Sequence, residues 1–227
     1  KKIDHHKYTV GWVDTCSNKK FGRSLIYCGE HSNDNQLDYR PPNKFTIPSF
    51  LIKFFMNRFF ISIFNMIYFY KSTDKEIKKD NINNFFYPLD IISNWNKFYG
   101  KDGFNKIQIL IKDRKKYYSS TKKIFNLFDK YKIYSFLTTI KIYGKGNNNF
   151  LSFCEKGMTI TMDVPVSKLF RRKYLELEKI FLKQGIKIYL AKDSFMSAKH
   201  FSSTYRNLNN FTNNLKLYNS NSIFKSK

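Results

Sequence analysis

Residues 104–112 read FNKIQILIK, and this stretch indicates the fold of the second half of the chain. Isoleucines stand at every second position and alternate with polar residues such as Lys106 and Gln108. Successive side chains of a β-strand point to opposite faces of the sheet, so this alternation predicts a strand with one apolar and one mixed face. An aromatic-rich loop precedes the strand. Pro88 prevents a continuous helix in that loop, and Gly103 permits a tight turn at its end.

Helical and extended patterns alternate after this strand. The predicted helices cover 115–130 and 168–184, and the predicted strands cover 135–143, 158–164 and 186–190. Ser167 is a typical N-cap residue for the second helix, and Gly185 is a typical residue just past its end. The order β-α-β-β-α-β predicts an α+β fold. In this fold a ferredoxin-like antiparallel sheet carries its helices on one face.

The two faces of this predicted sheet differ in composition. The helix-covered face receives apolar residues, namely Ile107, Ile109, Ile140, Ile142, Ile160 and Met162. The opposite face receives Gln108, Thr139, Lys141, Thr159, Thr161 and Asp163. One interpretation is a face exposed to solvent, as in many antiparallel sheets. The other interpretation is the floor of a polar binding site, and the long aromatic loop that leads into the sheet favours it.

The first half of the chain is less regular. Residues 8–13 and 24–27 have the β-branched and aromatic composition of short strands. Residues 50–70 are strongly apolar, but charged and amide side chains interrupt them. They therefore fall short of the ~20 apolar residues that a membrane-spanning helix needs. They predict a buried or half-buried helix, with a helix lying on a membrane surface as the alternative.

The chain of 227 residues has a formal net charge of +24, from 41 basic and 17 acidic residues. Such an excess suits polyanions: nucleic acid, anionic lipid or phosphorylated substrates. However, the basic residues are 34 lysines and 7 arginines spread along the whole chain. Nucleic-acid readers favour arginine where geometry matters. The predicted strand 158–164 also lacks the aromatic residues on which an RNA-binding sheet stacks bases. Nucleic acid is therefore not the predicted partner.

The motifs of common catalytic sites are absent from the sequence. It contains no dinucleotide-binding glycine motif, P-loop, zinc-protease helix motif or nucleophile elbow. Its three cysteines have no metal-binding spacing, so no metal site is predicted and a reducing, cytoplasmic compartment is expected. His31 and His200 are predicted to be surface residues rather than ligands.

Residues 189–193, YLAKD, are the best candidate for chemistry in the sequence itself. Lys192 follows the last predicted strand and stands beside an acidic residue. A lysine in this position could bind a phosphate, orient a hydroxyl or hold charge beside a cofactor. Because the chain contains 34 lysines, the alternative is an ordinary solvated side chain.

Several short blocks resemble the FAD-linked oxidases of the vanillyl-alcohol oxidase superfamily. They are FFYPLD at 85–90, NWN at 94–96, YG at 99–100, GF at 103–104, LSF at 151–153, GMT at 157–159, DVP at 163–165 and YLAKDS at 189–194. Two more, GWVD at 11–14 and GR at 22–23, fit the same family more loosely. The blocks keep the family's order and spacing over most of the chain.

The resemblance implies an enzyme whose FAD-binding domain lies upstream of this chain. Residues 1–186 would then be the substrate-binding domain, and residues 187–227 would be the segment that returns to the absent FAD-binding domain. The similar members of this superfamily oxidise the 2-hydroxyl of a polyprenyl-phosphate-linked ribose by hydride transfer to FAD. A separate reductase completes the epimerisation. The chain alone is expected to be inactive.

The resemblance also implies roles for individual residues. Lys192 corresponds to the lysine that contacts both flavin and substrate, and Tyr189 corresponds to a tyrosine near the flavin. The implied substrate-binding residues are Gln108, Lys141, Phe86, Tyr87, Trp95 and, more loosely, Trp12. Three further substrate-site positions depart from the family, since Lys106 replaces a glutamine, Thr159 an asparagine and Thr161 a cysteine. These departures leave the exact sugar and lipid carrier open.

Three hypotheses follow. The first is an FAD-dependent oxidoreductase that acts on a lipid-linked or similar sugar, in the cytoplasm or peripheral to the inner membrane. The second is a basic module that binds nucleic acid or an anionic membrane, with an affinity that salt lowers steeply. The third is a non-catalytic relative of the oxidase, which the three departures keep open.

Overall fold

The computed structural model describes most of the chain. The described residues are 6–16, 22–33, 41, 43–48, 57–72, 77–93, 97, 99, 102–192 and 195–223. Trp95, one of the predicted substrate-binding residues, lies outside them.

The described strands form one large sheet and one small sheet. The strands are β1 (Tyr8–Val13), β2 (Ser24–Gly29), β3 (Phe45–Thr46), β4 (Ile92–Ser93), β5 (Phe104–Ile111), β6 (Thr138–Tyr143), β7 (Gly157–Pro165) and β8 (Lys187–Ile188). The large sheet has six strands in the order β2-β1-β6-β7-β5-β8, and its neighbouring strands are antiparallel. β3 and β4 pair in parallel to form the small sheet.

The described helices follow the strands in chain order. They are α1 (Arg58–Lys71), α2 (Ile82–Phe86), α3 (Tyr117–Lys130), α4 (Lys168–Gln184), α5 (Ala198–Thr204) and α6 (Leu208–Tyr218). Short 3-10 turns cover Pro88–Ile91 and Arg114–Lys116. No helix in the described ranges has the length and apolar character needed to cross a membrane.

The predicted α+β fold with a ferredoxin-like half is confirmed. The segment β5-α3-β6-β7-α4-β8 has the predicted element order, and its strands stand in the sheet as β6-β7-β5-β8. The β1–β2 hairpin extends this sheet beyond β6. The helices cover the face that carries the alternating isoleucines: Ile107, Ile109 and Ile160 are fully buried against them.

The two ends of α4 are as predicted. Ser167 Oγ accepts a hydrogen bond from the Phe170 amide at 3.0 Å. Gly185 has a φ of +64°, and its amide bonds to the Leu182 carbonyl while the next amide bonds to the Phe181 carbonyl. This pair of bonds is the Schellman arrangement that ends many helices at a glycine.

Two strand predictions were too long. The strand predicted over 135–143 begins only at Thr138, because the Ser135 hydroxyl donates to the Leu137 carbonyl at 2.7 Å and accepts from the Asp163 amide at 3.0 Å. The strand predicted over 186–190 is reduced to Lys187–Ile188, because a turn begins at Tyr189, whose carbonyl accepts from the Lys192 amide at 3.0 Å.

The prediction that Ile142 lies under the helices was wrong. Its neighbour on the same face, Ile140, is partly buried against the core, whereas Ile142 is 55% exposed. β1 pairs with β6 only as far as Ile140, so Ile142 has no strand beside it on that side.

The prediction for His200 was also wrong. This histidine is fully buried, and its Nε2 lies 2.8 Å from the Ile186 carbonyl oxygen. Its Nδ1 lies 3.6 Å from a carboxylate oxygen of Glu178 on α4. The residue therefore joins α5 to the ferredoxin-like half. The sequence pattern near the chain end does not predict that contact.

A buried carboxylate joins the β1–β2 hairpin to α1. Asp14 is fully buried and accepts hydrogen bonds from the Arg23 guanidinium at 2.8 Å, the Cys16 amide at 2.9 Å and the Asn65 side chain at 2.8 Å. Asn65 lies on α1, within the predicted apolar helix. Charge-assisted bonds of this kind are stronger than neutral ones, so the cluster fixes α1 against the hairpin.

α1 buries only a narrow stripe. Its start is capped by Asn57, whose Oδ1 accepts from the Phe60 amide at 3.0 Å. Ile61 and Asn65 are buried, whereas Phe59, Phe64 and Ile67 are all more than half exposed. The sequence predicted a buried or half-buried helix here, and α1 is half-buried. The first residues of that prediction, 50–56, lie outside the described ranges.

Candidate functional site

The sheet face opposite the core helices brings most of the predicted substrate-binding residues together. Residues paired across antiparallel strands point to the same face. Gln108 on β5 stands opposite Thr161 on β7, which stands opposite Thr139 on β6, which in turn stands opposite Trp12 on β1. A neighbouring row runs from Leu110 through Thr159 to Lys141. We call this surface the polar face.

An ion pair stands at one end of the polar face. Lys106 Nζ lies 3.1 Å from Asp163 Oδ1, across the β5–β7 ladder. Asp163 is fully buried, and burial raises the pKa of its carboxyl. The charges of Lys106 and Lys192 and a hydrogen bond from Tyr99 oppose that shift without cancelling it. Lys192, the predicted catalytic residue, is therefore within electrostatic range of Asp163.

Among the described residues, several lysines interact electrostatically in this part of the polar face. The charges of Lys106 and Lys192 both act on the Asp163 carboxylate, and the charge of Lys106 also acts on Lys141. Burial, and then the nearby charge of Lys106, lower the pKa of Lys141. An anion placed among these lysines would offset their mutual repulsion, so the arrangement is suited to a phosphate or to an oxyanion.

Hydrogen-bonding and aromatic side chains border the lysines. Gln108 Nε2 donates to the Tyr143 hydroxyl at 3.1 Å. The ring of Tyr189, a predicted flavin contact, stacks on Phe153 with centroids 4.7 Å apart. The Tyr189 amide also donates to the Gln108 carbonyl at 2.8 Å. The turn that carries Lys192 is thus joined to the middle of β5.

Lys187 holds the loop that positions Phe153. Its Nζ donates to the Ser152 carbonyl at 2.5 Å and lies 2.8 Å from Glu155 Oε1. Only 5% of the Lys187 side chain is exposed, and the ammonium lies 4.3 Å from the centre of the Tyr205 ring. These partners occupy Lys187, so it anchors the loop and is not a candidate ligand residue.

The predicted aromatic residues are distributed unevenly. Trp12 is buried on the polar face and meets Tyr68 of α1 edge-on, with centroids 5.1 Å apart. Phe86 meets Tyr8 of β1 edge-on at 5.2 Å. Tyr87 is 57% exposed and lies at the end of α2. The structure therefore places Trp12 and Phe86 at the hairpin side of the site, away from Lys192.

Three residues of this region were missed as site residues. Asp163 was placed on the polar face by its period-two position, but its partnership with Lys106 depends on the strand register. Tyr99 lies in the YG block at 99–100 that resembles the oxidase family. Burial and the charge of Asp163 raise the pKa of its hydroxyl. Tyr143 continues the alternation of Thr139 and Lys141, and this signal could have identified it.

Asp163→Asn is expected to change how stability depends on pH. Because the carboxyl pKa is raised in the folded state, folding favours the protonated acid. The wild-type chain therefore loses free energy of unfolding, relative to the variant, as pH rises from about 4 through the folded-state pKa. Urea unfolding at a series of pH values measures this difference. Asp102→Asn, at an exposed carboxylate, is the matched control. A difference that stays constant or changes in the opposite direction would contradict the expectation.

No protein-family model matches the chain. Among curated proteins, the chain is similar to a sugar oxidase, which agrees with the family resemblance of the quoted blocks. That relative is the decaprenylphosphoryl-β-D-ribose oxidase of Mycolicibacterium smegmatis, and the identity is 28% over 211 residues. The matched part is 88% of this chain and 45% of the oxidase, so the chain spans less than half the length of this curated relative.

Proposed function

We propose that this chain is the substrate-binding part of an FAD-dependent oxidoreductase that oxidises the 2-hydroxyl of a polyprenyl-phosphate-linked ribose or a similar sugar. The observation that carries the proposal is the similarity to decaprenylphosphoryl-β-D-ribose oxidase over 88% of the chain. In this proposal residues 1–186 bind the substrate, and residues 187–227 return to an FAD-binding domain. A separate reductase would complete the epimerisation.

The polar face supports this proposal through its chemistry. A phosphate-linked sugar offers one anion and several hydroxyls. Lys141 and the Gln108–Tyr143 pair supply a cation and hydrogen-bonding groups on one face of the sheet. Lys106 and Thr161 border the same surface. These groups would hold the phosphate and orient the sugar so that one C–H bond faces the hydride acceptor.

The residues around β8 fit a flavin. Lys192 is exposed, so its ammonium is available to a ligand, and Tyr189 presents a ring that is held by its stack on Phe153. Bound FAD would supply the hydride acceptor. When the sugar hydroxyl is oxidised, a hydride would pass from the carbon to that acceptor and the hydroxyl proton would pass to water, giving a ketone. Lys192 would stabilise the negative charge that develops on that oxygen or on the cofactor.

Flavin reduction in the full-length gene product tests the proposal. The protein is mixed anaerobically with a polyprenylphosphoryl ribose, and the visible flavin absorbance is followed. We expect the substrate to bleach the flavin, and we expect free ribose to leave it oxidised. The 227-residue chain alone is expected to bind FAD weakly.

Two other outcomes would contradict the proposal in different ways. Bound flavin that stays oxidised with every lipid-linked sugar would contradict the substrate assignment and favour a non-catalytic relative. A full-length protein without flavin would contradict the oxidoreductase. The basic binding module would then be tested by the salt dependence of its affinity for polyanions.

A further inference from the structure

Strands β1 and β6 separate before either of them ends. Their ladder has three pairs, Gly11 with Ile140, Trp12 with Thr139 and Val13 with Thr138. β1 nevertheless stays paired with β2 as far as Tyr8, and β6 stays paired with β7 as far as Tyr143. Each strand therefore keeps its outer partner while a gap opens between the two.

Gly11 forms the last pair of this ladder and lies close to β6. A Cβ atom built on Gly11 would lie 3.3 Å from the Ile140 carbonyl oxygen. Beyond this glycine, a cleft of about 340 Å³ opens between the two strands. Its walls include Tyr8, Val10, Phe86, Lys141, Ile142 and Tyr143. We call it the β1–β6 cleft.

The walls of the β1–β6 cleft are held by their own contacts. The Tyr8 ring meets Phe86 and His31 edge-on, with centroids 5.2 Å and 5.3 Å away, and its hydroxyl lies 3.1 Å from His31 Nε2. The Tyr143 hydroxyl accepts from Gln108 at 3.1 Å. A cleft whose walls are already fixed loses little conformational entropy when a ligand enters.

The lining of the β1–β6 cleft combines apolar side chains with two lysines, Lys7 and Lys141. Val10, Phe86 and Ile142 supply apolar surface. Lys141 is half-buried, lines the cleft and also stands beside Thr159 on the polar face. A ligand that spans the cleft and the polar face would therefore carry an anion at the junction and an apolar chain in the cleft.

We propose that the β1–β6 cleft binds the phosphate-proximal end of a prenyl monophosphate group, with the phosphate at Lys141 and the first prenyl units between the strands. This assignment rests on the proposed function, which supplies the lipid-linked sugar. The cleft volume of about 340 Å³ lies at the low end of the ~300–1,000 Å³ typical of small-molecule sites. A long prenyl chain exceeds it, so only its first units lie inside and the rest leaves through the open side.

Calorimetric titration of the full-length protein with farnesyl phosphate tests the cleft. Val10→Trp fills the cleft and is expected to raise the Kd for farnesyl phosphate at least tenfold. Ile142→Asp, at an exposed wall position, places a negative charge in the lining of the cleft and is expected to do the same without disturbing the core. Ile26→Trp is the matched control, because Ile26 lies on the same hairpin and is 54% exposed outside the cleft.

Two further ligands separate the contributions of phosphate and chain. Inorganic phosphate is expected to bind more weakly than farnesyl phosphate. Lys141→Met is expected to weaken the binding of farnesyl phosphate and to leave the binding of farnesol unchanged. The proposal is overturned if Val10→Trp and Ile142→Asp bind farnesyl phosphate as well as Ile26→Trp does. It is also overturned if inorganic phosphate and farnesyl phosphate bind equally.

The experiments distinguish a failure of the cleft assignment from a failure of the proposed function. In one outcome, no polyprenylphosphoryl ribose reduces the flavin of the wild-type protein, yet farnesyl phosphate binds and the two cleft variants abolish that binding. The cleft assignment would then hold and the proposed reaction would be wrong. In the other outcome, the substrate reduces the flavin of the wild-type protein, and Val10→Trp leaves the KM for the lipid-linked substrate unchanged. The proposed reaction would then hold and the cleft assignment would be wrong.

Discussion

Lys192→Met in the full-length, flavin-loaded protein is expected to slow flavin reduction by about 100- to 1,000-fold, the range for removing one electrostatic stabiliser of a developing charge. The physical reason is the position of the ammonium. Lys192 is exposed on the turn after β8, and its charge lies close enough to act on Asp163 at the edge of the polar face. Methionine keeps much of the length of the side chain and removes its charge.

Stopped-flow absorbance under anaerobic conditions measures this effect. Lys199→Met is the matched control, because Lys199 is an exposed lysine in the same C-terminal segment, on α5. Lys192→Arg keeps the charge with a different geometry and is expected to retain part of the rate. The role of Lys192 would be refuted if Lys192→Met bound flavin normally and reduced it at the rate of the Lys199→Met control.

Asp14→Ala is expected to lower the free energy of unfolding by about 3–5 kcal/mol, the cost of breaking a buried ion pair by removing one partner. Arg23 would keep its charge with only 9% of its side chain exposed. Asn65 and the Cys16 amide would also lose an acceptor in a buried environment. The hairpin and α1 would then be joined by weaker contacts, such as Trp12 against Tyr68 and the Arg23 guanidinium over the Phe69 ring.

Chemical denaturation of wild type and variant measures this loss. Asp129→Ala removes a carboxylate that is 50% exposed and lies 3.5 Å from Arg58, and such a surface pair contributes about 0–1 kcal/mol. The double variant Asp14→Leu with Arg23→Met is expected to recover part of the loss, because it removes the unpaired charge as well. Equal losses in Asp14→Ala and Asp129→Ala would disprove the importance of the buried cluster.

Local patterns in the sequence predicted the ferredoxin-like half well. The alternation through Ile107 and Ile109 fixed which side of β5 faces the helices. Ser167 and Gly185 fixed the ends of α4, because each supplies a specific hydrogen bond or backbone angle that only a few residue types can supply. These features depend on neighbours within a few residues, and a single sequence displays them directly.

Features that depend on distant partners were not predictable in the same way. Nothing near residues 8–13 indicates that β1 pairs with β6 rather than with β8 at the other edge. His200 lies in a polar segment, yet it is buried because Ile186 and Glu178 meet it from other elements. Ser135 lies outside β6, although the sequence pattern includes it, because its hydroxyl forms hydrogen bonds with the backbone of residues 137 and 163.

The candidate site also combines features that local patterns predict with features that depend on distant partners. Period-two alternation placed Gln108, Lys141 and Thr159 on one face, and the register confirms that they share it. Their roles in binding remain predictions. The Lys106–Asp163 pair required the register itself, since two strands can slide past each other by two residues without changing their faces.

Because the ladder between β1 and β6 is short, we expect the large sheet to open as two units, the hairpin and the ferredoxin-like half. Three residue pairs join the hairpin to the ferredoxin-like half, whereas β5 and β7 are joined by eight. Amide protons of β1 should therefore exchange with solvent more readily than those of β7, since opening of the hairpin breaks fewer bonds. A molecule seated between β1 and β6 would connect the two units, and its binding energy would then also appear as protection of the hairpin.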